Sequence, residues 1–369
     1  MNILTQALID PKKTIQLSLK EWELLIAQAA SCSLLGRLYY LFYTADILSE
    51  IPQQVLWHFE SGYKVAEHMR INTRREIQEI TEALSSTNIT PVFLKGAMYA
   101  IRKLPNCFGR SFSDIDILVA KSEINDAEVQ LYSYGWIPQK NEAYNEQYYR
   151  KWMHEIPPLQ HAKRRTVLDL HHNILPLTNK NCPDASTFNT QELLIDKLGL
   201  ITFLSDVDLV IHTAVHLFTE SEFHHGLRDL SDIDMLIRHF CLSEPKFIDL
   251  LIERANHLGL STYLWLALKY SALILSTLIT DKQLGKLEWQ PSNKLAIVFL
   301  NFCFINIFRP NHRSCRNWKM AVAEFFLYWR GHLIRMPLRL LIPHLARKSY
   351  MGIKDYFQKD NSVGELPKF

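Results

Sequence analysis

Asp114 and Asp116 stand one residue apart in an otherwise apolar run, Asp114-Ile115-Asp116-Ile117-Leu118-Val119. In an extended strand this spacing puts both carboxylates on one face and sends Ile115 and Ile117 into the core. Like charges so close repel unless a divalent cation bridges them, and an all-oxygen ligand set suits Mg²⁺ or Mn²⁺ better than zinc. A third carboxylate, Asp169, lies in Arg165-Thr166-Val167-Leu168-Asp169-Leu170-His171, where the same alternation places Val167, Asp169 and His171 on one face. If the two strands are neighbours, three carboxylates converge, enough to hold two ions about 3.5–4 Å apart and clamp a phosphoryl transfer. Alone, Asp-Ile-Asp could equally be a solvated strand face. Gly96 shifts the balance, because it follows the apolar run Pro91-Val92-Phe93-Leu94-Lys95 and opens a helix. In that setting backbone N–H groups receive a phosphate.

Other residues are weaker candidates. Lys95 and Arg110 flank the expected phosphate site, where cations stabilise the charge developing on pyrophosphate; each could also be a solvated surface charge. His154, His161, His171 and His172 crowd the same region. His171 shares a strand face with Asp169 and could ligate a metal, position an acceptor or shuttle a proton, although strand histidines are more often structural. His212 and His216 have the i, i+4 spacing of a helical metal pair but lack an accompanying Glu, so packing or pocket lining is expected of them. Arg228, Asp229, Asp232 and Asp234 include a second Asp-Ile-Asp. On a helix its two carboxylates point about 200° apart and cannot share an ion. A structural salt bridge is expected there, with Arg228 or Asp232 reaching the active site as the alternative.

Taken together, Leu94-Lys95-Gly96-Ala97, Arg110 and Asp114-Ile115-Asp116-Ile117-Leu118-Val119 resemble the signature of the polymerase-beta-like nucleotidyltransferase superfamily, in particular its poorly characterised bacterial branch. That branch is similar further along, at His154-Glu155-Ile156-Pro157-Pro158-Leu159, at Val167-Leu168-Asp169-Leu170-His171, and at Leu227-Arg228-Asp229-Leu230-Ser231-Asp232-Ile233. The resemblance covers roughly Phe93 to Leu236. It implies that Asp114 and Asp116 ligate two metal ions and Asp169 the catalytic one, with Lys95, Gly96, Ala97 and Arg110 at the nucleotide, an NTP such as ATP. His154, His171, Arg228 and Asp232 would be accessory or acceptor-side residues. Ala97 departs from the superfamily, which usually has Gly or Ser there, so a hydroxyl contact to phosphate is lost and the point charge of Lys95 can compensate.

The elements that must position these residues form three expected regions. Residues 1–89 carry apolar positions at helical spacing and no strand signal, and end in a charged helix from His68 to Leu84. Residues 90–176 alternate short apolar runs with helices: strands at 91–95, 114–119, 136–139, 158–161 and 165–171, and helices at 97–103 and 122–134, the latter with Ser122 as N-cap. Pro176 to Gln191 reads as a long loop, and 190–369 as helical throughout. The fold class expected is α+β, a small mixed sheet forming a nucleotidyltransferase core between N-terminal and C-terminal helical regions.

With nearly half of its 369 residues hydrophobic and a fifth charged, the chain can bury a sizeable core. The six scattered cysteines form no metal or disulfide pattern and read as reduced thiols. The start, MNILTQALIDPKKTIQ, lacks the basic residues and long apolar run of a secretory signal, so a cytoplasmic location is expected. Residues 255–280, broken by Lys269, and 295–308 fall short of the roughly 18–20 apolar residues needed to span a bilayer; buried core helices are expected there. Between Arg309 and Lys348, seven Arg and two Lys face one acid, Glu324, interleaved with Trp318, Phe325, Phe326, Tyr328 and Trp329. Such a stretch is a solvated basic face, or it contacts an anionic membrane surface, peripheral to an inner membrane, or nucleic acid. The leading function is transfer of NMP from an NTP to an unidentified small molecule, peptide or protein. The alternatives are a catalytically silent nucleotide-binding scaffold and a toxin-like enzyme that modifies tRNA.

Overall fold

A computed structural model describes residues 2–138, 143–196 and 198–343. Four helices come first: α1 (Ile3–Ile9), α2 (Leu19–Ser31), α3 (Leu35–Thr44) and α4 (Gln53–Leu84). The 32 residues of α4 absorb the charged segment from His68 to Leu84, which is half of one long helix and not a separate element, since no proline interrupts it.

The carboxylates lie in one mixed sheet. Its strands are β1 (Val92–Phe93), β2 (Asp114–Leu118), β3 (Trp136–Pro138), β4 (Leu159–His161), β5 (Val167–His171), β6 (Thr190–Ile195) and β7 (Gly199–Leu204), in the order β3-β4-β5-β2-β1-β7-β6. The central strand β2 runs parallel to β5 on one side and antiparallel to β1 on the other, and β1 runs parallel to β7. Helices α5 (Lys95–Arg102), α6 (Ile124–Ser133) and α7 (Ala143–Trp152) are inserted between these strands. The α+β class expected from the sequence is the one observed.

Three local expectations are corrected. Lys95 begins α5 and does not end β1. Ser122 is not an N-cap: it lies in a short 3-10 turn (Lys121–Glu123), and the Glu123 carboxylate accepts from the Ala120 backbone N–H at 3.3 Å. Residues 190–204, expected to be helical, form the β6–β7 hairpin. Most of β6 is exposed, so it carries no alternating pattern; it is a strand because β7 pairs with it, and β7 pairs with the edge of β1. Of the strand expected at 136–139, Gln139 lies outside the described residues.

Helices α8 (Asp206–Thr219), α9 (Gly226–Ser243), α10 (Phe247–His257), α11 (Ser261–Leu275), α12 (Asp281–Leu284), α13 (Lys294–Ile307) and α14 (Trp318–Arg335) follow. The Tyr99 and Thr213 hydroxyls, hydrogen-bonded at 2.7 Å, tie α5 to α8. α11 is buried as expected, whereas α13 is covered on only one side: of its residues only Cys303, Phe304, Asn306 and Ile307 are buried. The loop before β2 is pressed onto α3. At Gly109, with φ +68°, an added Cβ would lie 2.1 Å from the Gly36 carbonyl oxygen, a separation only glycine permits.

That loop is also held by charge. Asp232 of α9 is buried between Arg37 of α3, 2.7 Å away, and Arg110, whose Nε donates to it at 2.7 Å. Arg37 also donates to the Asn106 carbonyl at 2.7 Å and to Ser231 Oγ at 2.9 Å. One carboxylate thus binds the N-terminal helices, the loop leading to β2 and the C-terminal helices together. Removing one partner from such a cluster leaves buried charge unpaired, at a cost of about 3–5 kcal/mol. Asp232→Ala is expected to lower unfolding free energy in urea by about that amount. A loss under about 1 kcal/mol, the scale of an exposed pair, would contradict this.

Candidate active site

The geometry of the site follows from strand register. β2 and β5 pair in parallel with Asp116 opposite Asp169 and Leu118 opposite His171. Ile115 and Ile117 are buried, as their alternation requires, and the opposite face receives the carboxylates. One oxygen each of Asp114, Asp116 and Asp169 lies within 4.8 Å of the others. Asp114, at the strand start, is partly exposed and accepts from Ser113 Oγ at 2.9 Å. Asp169 keeps one oxygen shut from solvent with no hydrogen-bond partner among the described residues.

Buried counter-charges hold the cluster together. Lys95 Nζ lies 3.6 Å from Asp116, and His171 Nε2 lies 3.2 Å from the other Asp116 oxygen. Burial opposes ionising Asp116, yet Lys95 and His171 hold its carboxyl well below the usual carboxylate range. Asp169 goes the other way: burial, with Asp116 and Glu155 nearby, pushes it up to about 8. The chain after α7 forms a bridge to β5 at Glu155 and His171, and the Ile156 N–H donates to the Leu170 carbonyl at 3.1 Å. This docking sets Glu155 3.4 Å from His171 Nδ1, so His171 lies between two carboxylates. Burial works against the imidazolium, but those partners raise the His171 pKa. His154, packed beside the His171 ring, is pushed well down by burial and by that neighbour.

These residues line a cavity of about 410 Å³. Lys95, Asp116, Asp169, His154 and His171 form one side; Tyr148 and Tyr149 of α7, His212 and His216 of α8, and Arg335 of α14 line the rest. Of the packing or lining expected of His212 and His216, the structure shows cavity lining, and burial beside Lys95 lowers the His212 pKa to about 3. Arg335 donates to Glu220 at 3.0 Å, and its carbonyl accepts from Thr178. Gly331 fixes this end of α14, since a Cβ there would fall 2.6 Å from Ser221 Cα. Glu155, Tyr148, Tyr149 and Arg335 carried no spacing signal. Only the fold brings α7 and α14 over the sheet.

Other candidate residues lie elsewhere. Gly96 and Ala97 are buried in the first turn of α5 and do not line the cavity. Arg110 is stacked against Tyr99 and Phe112 and is spent on Asp232, so the two meet each other and not the cavity. Arg228 pairs with Asp229 at 2.8 Å.

A family model described as uncharacterised nucleotidyltransferase matches residues 18–276. The chain belongs to this nucleotidyltransferase family. Its match takes in the carboxylate strands, the Arg37–Asp232–Arg110 cluster and helices α2 to α11, and ends before α13 and α14. No curated protein and no solved structure matches.

The raised Asp169 pKa has a measurable consequence in metal-free protein. The folded state binds this proton more tightly than the unfolded state, so Asp169 costs the fold stability as pH climbs from about 3.8 to about 8. Asp169→Asn removes that cost at every pH. Its melting temperature in EDTA is expected to exceed the wild type by a gap that widens up to pH about 8 and then levels. A gap that stays constant across this window would show that Asp169 ionises normally.

Proposed function

We propose that this nucleotidyltransferase moves NMP from an NTP, ATP being the first to test, onto an acceptor bound in the cavity, with Asp114, Asp116 and Asp169 holding Mg²⁺ or Mn²⁺. The observation that carries this reading is the register pairing of Asp116 with Asp169, which gathers three carboxylates beside the cavity. The residues fit a divalent ion: the donors are all oxygen, they are close enough to share ligation, and one buried Asp169 oxygen has no other partner. When bound, such ions would neutralise triphosphate charge and polarise the α-phosphate.

The chain's own groups divide the remaining work. Lys95, at the start of α5 and in the cavity wall, supplies a positive charge for the β- and γ-phosphates. The acceptor oxygen attacks the α-phosphorus, forming a new P–O bond as the bond to the β-phosphate oxygen breaks and pyrophosphate leaves. Asp169, held ionised by the bound cations, would take the acceptor's proton, because burial makes its carboxylate more basic than an ordinary aspartate. His171, braced by Glu155, holds Asp116 in place. Tyr148, Tyr149, His212 and Arg335 form the acceptor side. A silent scaffold has no physical reason to keep three repelling carboxylates together, which argues for the enzyme.

The roles of the two paired aspartates separate experimentally. Asp116→Asn is expected to weaken NTP binding measured by calorimetry and to abolish transfer of labelled NMP. Asp169→Asn is expected to leave NTP affinity within a few-fold while transfer falls on the order of 10² or more, the scale of a lost general base. Folded variants that transfer NMP near the wild-type rate would end this reading.

A further inference from the structure

Helices α13 and α14 lie beyond residue 276, where the family match ends, and they carry an apolar surface that nothing in the described chain covers. The inner side of α14, through Met320, Ala323, Leu327 and Gly331, is buried against the protein. Trp318, Phe325, Trp329 and Leu333, spaced seven, four and four residues apart, share the opposite side. On α13, Leu295, Val298 and Phe299 stand out in the same way, and Phe299 meets Phe326 edge to face at 5.1 Å, joining the two helices into one surface. Leu295 is 79% exposed, Trp318 69% and Phe325 59%. Helices apolar on all sides belong in a core or against hydrocarbon, and here one side has no core.

Charge selects the occupant. Exposed Lys294, Arg313, Arg316, Lys319 and Arg339 accompany this surface, against two acids, Glu324 of α14 and Glu222 beside Phe325. A second copy would set these cations against their own kind. Nucleic acid would use the cations and the aromatic rings, but not Leu295, Val298 and Leu333, which gain only from hydrocarbon. No described helix is long and apolar enough to cross a bilayer by itself. We infer that the α13–α14 face docks on the surface of an anionic lipid membrane, its aromatic and aliphatic side chains entering the headgroup boundary and its Lys and Arg pairing with lipid phosphates. α14 continues from this face to Arg335 in the cavity wall, so docking holds the cavity close to the membrane surface.

Flotation of the full chain with vesicles tests this. Binding is expected to vesicles of phosphatidylcholine with one quarter phosphatidylglycerol at least tenfold more strongly than to phosphatidylcholine alone, and to weaken as salt rises. Phe325→Ser/Trp329→Ser is expected to cut binding at least tenfold, and Arg313→Glu/Lys319→Glu to remove the preference for anionic lipid, with melting temperature and NTP affinity unchanged in both. The inference is overturned if wild type ignores the vesicles, or if Phe325→Ser/Trp329→Ser binds them undiminished. It is also overturned if the wild type is a dimer that these substitutions disperse, or if it binds RNA in preference to anionic vesicles.

Discussion

Mutual repulsion between Asp116 and Asp169, set side by side on parallel strands in a largely buried place, is the constraint to which the rest of this structure answers. A sheet gains nothing from opposing two acids across a register pair. The arrangement persists because other charges have been brought to it. Lys95 at the start of α5 and His171 two residues beyond Asp169 both lean on Asp116, and Glu155 anchors His171 from its other side. The result is two aspartates of opposite character: Lys95 and His171 favour the ionised form of Asp116, whereas burial beside Asp116 and Glu155 raises the pKa of Asp169. Pairs of titratable groups whose surroundings push them apart in this way are how sites divide acid and base work.

Holding these groups in register requires rigidity at a distance. The loop entering β2 is pressed against α3 at Gly109 and pinned by Arg110 to Asp232, which Arg37 also grips. Buried polar clusters of this kind contribute little net stability, but they penalise any arrangement that separates their members. Here the members come from α3, the loop before β2, and α9, so the cluster fixes the sheet between the two helical regions. On the opposite wall, contacts at Gly331 and Thr178 seat the end of α14 against the cavity.

Much of the site was legible because its chemistry is local. The alternation around Asp114 and Asp116, and again around Asp169, determines which side chains share a face, and the adjacency of the two strands then completes the cluster. Arg110 and Asp232 were legible as charged residues but not as partners, because 122 residues separate them and nothing in either segment encodes the other. The same holds for Arg335 and its partner Glu220, 115 residues apart. The β6–β7 hairpin escaped for a different reason: β6 faces water along nearly its whole length, so pairing determines its structure and hydrophobic pattern does not. For α13, an uncharged apolar run suggested burial, whereas the fold leaves one side uncovered.

Under the proposed function, Asp114, Asp116 and Asp169 share divalent ions beside the cavity. Anomalous scattering from crystals grown with Mn²⁺ and a non-hydrolysable NTP locates those ions directly. Mn²⁺ peaks are expected within ligand distance of carboxylate oxygens of all three aspartates, with the triphosphate on the cavity side near Lys95. Bound nucleotide with no Mn²⁺ at this cluster, or Mn²⁺ held elsewhere in the chain, would contradict the proposed function.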